Sequence, residues 1–134
     1  AILRTADATG AHGVIIPKRR AVGLTVAVSR ASAGAVELVP VARVSNIPQT
    51  VTNLRETGVW TVGVDMTGDG DYTQADYRKS VALVVGAEGK GLSRLVKERC
   101  DLLVTIPMKG RISSLNASVA AALVMYEVMR QRNH

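Results

Sequence analysis

IPMKGRISSLNASVAAALVMY, Ile106–Tyr126, is the stretch from which the fold is read. An apolar strand, Leu102–Ile106, runs into it and stops at Pro107. A loop carrying Lys109, Gly110 and Arg111 follows, and the polar run Ser113, Ser114, Leu115, Asn116 leads into a long helix, Ala117–Arg132. Asn116 or a neighbouring serine is the expected N-cap, because a side-chain oxygen there satisfies amides that have no partner inside the helix. The same free N–H groups, with hydroxyls and two cations beside them, also form a candidate polar pocket for a ligand.

Working upstream, the pattern of strand followed by helix repeats. Ile2–Thr9 has the apolar spacing of one helix face and ends at Gly10. Gly13–Ile16 reads as a short strand stopped by Pro17, with Lys18, Arg19 and Arg20 at its carboxyl end. Thr25–Ala33 is alanine-rich and reads as helix, and Val36–Val44 as a strand interrupted at Pro40. Asn46 followed by Ile47 and Pro48 opens a helix, in which Ile47, Val51 and Leu54 share a face and which Gly58 ends. Val59–Val64 reads as a buried strand, Met66–Asp71 as a flexible glycine- and acid-rich loop, and Val81–Val85 as an unbroken apolar strand. Leu92, Leu95, Val96 and Cys100 mark one side of a further helix. Strands without a wet face, alternating with helices, predict an α/β domain: a mostly parallel sheet covered by helices on both faces.

The composition agrees. The chain has 134 residues, 47% apolar and 21% charged, enough for one domain with a core of Val, Leu, Ile and Ala, since it has no Phe, one Trp and three Tyr. Its apolar runs are shorter than the roughly 20 residues a membrane span needs. One cysteine, Cys100, cannot form an internal disulfide, so a reducing, cytoplasmic setting is expected. The net charge of +6 favours anionic partners, nucleic acid first. The chain opens at Ala1 in what already reads as helix, as part of something longer.

Gly86, Ala87, Glu88, Gly89, Lys90 and Gly91 leave a strand and enter a helix. Glycines there allow positive φ and close backbone approach to a ligand. The order is not that of a phosphate-binding P-loop, because Leu92 follows Gly91, nor that of the dinucleotide fingerprint. On spacing alone, Glu88 is an exposed acid in a turn. Arg4 and Asp7 have the spacing of a surface pair on the first helix. His12 and His134 have no metal spacing, so no metal is expected, and neither a catalytic thiol nor a histidine triad is indicated. The glycine loop and the Ser–Leu–Asn run both follow strands, which puts them at the carboxyl edge of the sheet, where open α/β sheets bind ligands.

Three segments, in this order, resemble the motifs of the SPOUT superfamily, specifically the SpoU-type RNA ribose 2′-O-methyltransferases: ILRTADATG (Ile2–Gly10), VVGAEGKGLS (Val84–Ser93) and IPMKGRISSLNASVAAALVMYE (Ile106–Glu127). HGVIIPKRRAVGLT and ASAGAVELVPVARVSN are similar to the subgroup that modifies a guanosine of large-subunit ribosomal RNA. The resemblance implies S-adenosylmethionine as methyl donor, a C-terminal deep trefoil knot and a homodimer to which the last helix contributes. By motif position it assigns catalytic roles to Arg4, Glu88, Ser114 and Asn116. It assigns donor binding to Val64, Asp65, Val85, Gly86, Ala87, Glu88, Gly89, Ile106, Pro107, Met108, Ser114, Leu115, Asn116 and Ala117. Lys18, Arg19, Arg20, Lys109 and Arg111 are the expected contacts to RNA phosphates. The family's first motif begins with an Asn, after a strand, a few residues before the position of Ala1, and the subgroup carries a separate N-terminal RNA-binding domain. Residues 1–134 therefore correspond to its catalytic domain without those parts. Transfer RNA is the alternative substrate; a resistance methyltransferase acting on ribosomal RNA and a knotted domain that binds RNA or a nucleotide without catalysis are the remaining readings.

Overall fold

The computed structural model describes residues 1–18, 39–86, 91–112 and 115–133. The chain divides into two compact units, Ala1–Ile47 and Pro48–His134. The expected helix over 25–33 and the first part of the strand expected from Val36 lie outside the described residues.

In the first unit, helix α1 (Ile2–Ala8) buries Leu3 and Ala6. It ends as its sequence suggests. Gly10 takes φ +75°, and the amides of Gly10 and Ala11 donate back to the carbonyls of Asp7 and Ala6 at 3.2 and 2.8 Å, so a left-handed glycine closes the last turn. Strands β1 (Val14–Pro17) and β2 (Val41–Val44) pair in parallel, Val14 with Val41 and Pro17 with Val44. Pro17 is thus the final residue of β1 rather than the stop after it, a strand position where a missing N–H is tolerated.

The second unit holds four parallel strands in the order β4-β6-β3-β5: β3 (Trp60–Val64), β4 (Gly70–Asp71), β5 (Val81–Val85) and β6 (Leu102–Thr105). The described strands therefore form two sheets, not one. Helix α2 (Ile47–Glu56) precedes β3 and ends at Gly58, φ +92°, where the amides of Gly58 and Val59 return to the carbonyls of Arg55 and Leu54, both at 3.0 Å. Met66–Asp71, expected to be a flexible loop, is tied down. Gly70 and Asp71 pair with Val104 and Thr105, and a Cβ added at Gly68 would strike the backbone of Val104.

Alternation along β3 separates the two faces of this sheet. Val62 and Val64 point to one side and join Val104, Tyr77 and Val124 in a buried cluster. Val124 comes from the last helix, α4 (Ala117–Arg132), which has the bounds its sequence predicts. Gly63 faces the other way, where an added Cβ would lie 2.7 Å from Leu103 Cδ2, 2.8 Å from Leu92 Cδ1 and 3.1 Å from Cys100 Sγ. Leu92 and Cys100 flank a shorter helix than expected, α3 (Arg94–Arg99), because Ser93 caps it: its Oγ accepts the Val96 N–H at 3.3 Å. Leu95, expected on the apolar side, is exposed. On this face Arg55 Nε meets Asp101 Oδ1 at 2.9 Å, and Arg99 Nη1 donates to Thr52 Oγ1 at 2.6 Å, which ties α2 to α3. Helices and their flanks thus cover both faces of this sheet.

The irregular segment after β4 is held by the end of α4. The Tyr77 amide donates to Gln131 Oε1 at 2.8 Å, and Gln131 Nε2 donates to the Ala75 carbonyl at 2.8 Å. Arg132 donates to the carbonyls of Tyr77 and Lys79 at 3.0 and 2.7 Å. Side chains here supply the backbone partners that a strand would otherwise provide.

The crowding at Gly63 gives a direct test. Gly63→Val would force Leu92, Leu103 and Cys100 apart, and it is expected to cost about 1–3 kcal/mol, the usual penalty of overpacking. Urea unfolding monitored by Trp60 fluorescence would measure it.

Candidate functional site

Three neighbouring strands leave the second sheet at the same level. Val64 of β3 is the register partner of both Val85 in β5 and Val104 in β6. Because all three run in parallel, the chain segments beginning at Asp65, Gly86 and Thr105 depart from one edge, the carboxyl edge. These segments carry apolar side chains into solvent: Met66 is 61% exposed, Met108 37% and Ile112 72%. Ile106 is half-buried and Pro107 exposed.

A carboxylate joins two of the segments. Asp65 is buried, its Oδ1 accepts the Leu92 N–H at 3.0 Å, and its Oδ2 accepts the amide of Thr67 at 3.1 Å and the Thr67 hydroxyl. Lys97 of α3 brings its Nζ to 3.8 Å from Oδ2. Burial by itself pushes this carboxyl's pKa up. The Thr67 hydroxyl, the amides of Leu92 and Thr67 and the Lys97 ammonium outweigh it and hold the pKa below the ordinary aspartate value. Asp65 is therefore ionised at neutral pH.

The ends of the glycine loop meet. A Cβ on Gly86 would collide with the carbonyl group of Gly91, and Gly91 itself has φ +65° with Asp65 Oδ1 against the place a side chain would occupy. The positions between them, Ala87, Glu88, Gly89 and Lys90, lie outside the described residues, as do Ser113 and Ser114.

Of the residues expected to bind the donor, Val64, Asp65, Val85 and Gly86 sit at the exits of adjacent strands, and Ile106, Pro107 and Met108 follow the next strand. Leu115 is half-buried. Asn116 is the N-cap of α4, its Oδ1 accepting the Ser118 N–H at 2.8 Å. Arg4 belongs to the first unit, on the exposed side of α1, and among the described residues no ion pair joins it to Asp7. Lys18, Lys109 and Arg111 are exposed, whereas Arg19 and Arg20 lie outside the described residues. Two residues engaged at this edge escaped the sequence reading, Thr67 and Lys97. The Asp65–x–Thr67 spacing is an Asx-turn signal that marks the first; nothing in the sequence marks the second.

Other titratable groups are ill suited to chemistry. Burial pushes the Cys100 thiol up to about 11, and the neighbouring Asp101 adds to it. The Tyr77 phenol is raised to about 12, chiefly by burial, and its hydroxyl is committed to the Tyr72 carbonyl at 2.6 Å. Among the described residues no group of three or more His, Cys, Asp or Glu is placed to hold a metal ion, and no helix is long and apolar enough to cross a membrane.

Comparison with known proteins matches residues 1–126 to the SpoU rRNA Methylase family. The chain belongs to this family. It is 58% identical over 132 residues to a Bacillus subtilis (strain 168) protein, YacO, assigned by name to the TrmH family of tRNA/rRNA methyltransferases, covering 98% of this chain and 53% of that one. The SpoU methyltransferase AviRb from Streptomyces viridochromogenes, solved in complex with AdoMet, superimposes with a TM-score of 0.88 at 38% identity over 98% of this chain and 54% of that chain. A crystal structure described as an RNA 2′-O ribose methyltransferase gives 0.87 at 32% identity, covering 99% of this chain and 51% of that one. The chain thus spans about half the length of each of these three relatives.

The backbone conformation at Gly91 can be tested against a control glycine in the loop after β6, Gly110. Gly91→Ala should lose about 1–2 kcal/mol from left-handed backbone strain, before any clash with Asp65. Gly110→Ala, with nothing within 4 Å of the added carbon, should stay within about 0.5 kcal/mol of wild type. Chemical denaturation of both variants would check the contrast.

Proposed function

We propose that the carboxyl edge of β5, β3 and β6 binds S-adenosylmethionine, and that the protein methylates a ribose 2′-oxygen of RNA, most favourably a guanosine of large-subunit ribosomal RNA. The observation that carries this reading is the common exit of three strands beside a closed glycine loop and exposed methionine and isoleucine side chains. The donor combines an adenosine, a sulfonium and a short methylene chain that ends in an ammonium and a carboxylate. An edge rich in backbone polar groups and soft apolar side chains suits it. Val64, Asp65, Val85–Gly89, Ile106–Met108 and Ser114–Ala117 would hold it, Asp65 through its backbone because its carboxylate is already engaged.

When bound, the donor supplies an electrophilic methyl group. The chain's own residues then have to align the ribose and manage charge; alignment alone can contribute roughly 7–11 kcal/mol in favourable cases. Arg4 holds the RNA phosphate and stabilises negative charge developing on the 2′-oxygen. Its guanidinium is a delocalised cation that suits charge stabilisation and makes a poor general base. Ser114 and Asn116 would orient the ribose, and Glu88 would fix a cationic or backbone partner. The deep trefoil knot belongs to this reading too, and it is consistent with α4 gripping the 75–79 segment through Gln131 and Arg132. A homodimer is supported by Val119, Leu123 and Tyr126, exposed apolar residues at i, i+4 and i+7 on α4.

The reading is tested by titrating S-adenosylmethionine calorimetrically, then assaying methyl transfer to ribosomal and transfer RNA with the full-length protein. Donor binding with methylated ribosomal RNA is the expected result. Transfer to tRNA alone would reassign the substrate, and binding without transfer would indicate a non-catalytic domain. Arg4→Lys should reduce kcat by about 100-fold or more if the planar fork stabilises the reacting oxygen; near-normal turnover would remove that role.

Lys18, Arg19, Arg20, Lys109 and Arg111 are assigned to RNA phosphates. Each contact to a single strand should add about 0.7 to the slope of log affinity against log salt. A flat salt response in filter binding would overturn the assignment.

A further inference from the structure

We propose that Asp65 is a positioning residue, a carboxylate latch that joins the loop after β3 to the end of the glycine loop after β5 and sets the shape of the donor-binding edge. Nothing above requires its side chain to touch the donor. Oδ1 takes the Leu92 amide, 27 residues away in the chain, while Oδ2 takes both donors of Thr67. Gly91 lies against the same oxygen that accepts from Leu92, so the carboxylate occupies the space a side chain at Gly91 would need. Three protein donors and Lys97 at 3.8 Å account for the acid's polar capacity.

The mechanical logic is one of preorganisation. Without the latch, Leu92 N–H and Thr67 N–H lose their partner, and each loop relaxes independently. A ligand spanning both must then order them at the expense of its own affinity. The inference rests on the reading of this edge as the donor site, and its test separates the two.

S-adenosylmethionine is titrated into wild type, Asp65→Ala, Asp65→Asn and Thr67→Val, and amide hydrogen exchange is followed in the same samples. Asp65→Ala should bind about tenfold more weakly or worse, while Leu92 and Thr67 amides exchange about tenfold faster and Val62 and Val104 keep wild-type rates. Asp65→Asn keeps an oxygen for the Leu92 N–H but sets an amide donor against the Thr67 N–H and Lys97, so it should bind between wild type and Asp65→Ala. Thr67→Val, which removes only the hydroxyl, should fall between them.

Wild-type affinity in a folded Asp65→Ala variant would overturn the latch. So would an Asp65→Ala variant that binds weakly while its Leu92 and Thr67 amides exchange at wild-type rates, which would indicate direct charge contact with the cationic donor. If wild type does not bind S-adenosylmethionine, the donor reading fails and the latch is judged by exchange: unchanged Leu92 protection in Asp65→Ala refutes it. If Asp65→Ala does not fold, Thr67→Val decides, and wild-type affinity and exchange in that variant refute the proposal.

Discussion

Parallel pairing in register is the constraint on which the rest of the second unit depends. Hydrogen bonding of β3 to β5 on one side and β6 on the other puts Val85, Val64 and Val104 in a row. A parallel sheet cannot return its chain by a tight turn, so each strand must be followed by a crossover. Every crossover begins at the same edge. The chain therefore has three loops from distant parts of the sequence side by side before any side chain is chosen for chemistry, and the segments Val84–Ser93 and Ile106–Glu127 that resemble the family's motifs run through two of them.

The cost of this arrangement is irregular backbone close to the core, and the protein meets it with side chains. Gln131 and Arg132 at the end of α4 satisfy the polar groups of Ala75, Tyr77 and Lys79. Asp65 does the same between the loops at the carboxyl edge. A buried charge is costly unless it is fully hydrogen-bonded. Asp65 accepts from Leu92, from the Thr67 amide and from the Thr67 hydroxyl, with Lys97 beside it, which is why ionisation is retained there. Both devices use polar residues where an apolar core could not supply the missing partners.

The two faces of the sheet are likewise unequal. Val62, Val64, Val104 and Val124 make an ordinary aliphatic core under α4. The opposite face depends on the absence of a side chain at Gly63, which lets Leu92, Leu103 and Cys100 close over the strand. Thr61 is fully buried on that face and exchanges hydrogen bonds with Asp101 at 2.9–3.1 Å, so the start of β6 is keyed to β3 by polar contacts as well as by the ladder.

Local chemistry made much of this legible from the sequence. Gly10 and Gly58 ended their helices where a left-handed residue was needed, Asn116 capped α4, and the apolar runs became parallel strands, because each of these preferences is settled within a few residues. The motifs likewise sufficed to identify the SpoU family. Tertiary structure decided what depended on distant partners: Gly70 and Asp71 became a strand only because β6 offered a free edge, and Ser93 and the packing against Gly63 left Leu95 outside. Asp65 became a buried link to Leu92 because β3 and β5 are neighbours. A cap or a turn is chosen by adjacent residues, whereas a buried carboxylate finds its partners only after the strands carrying them have paired.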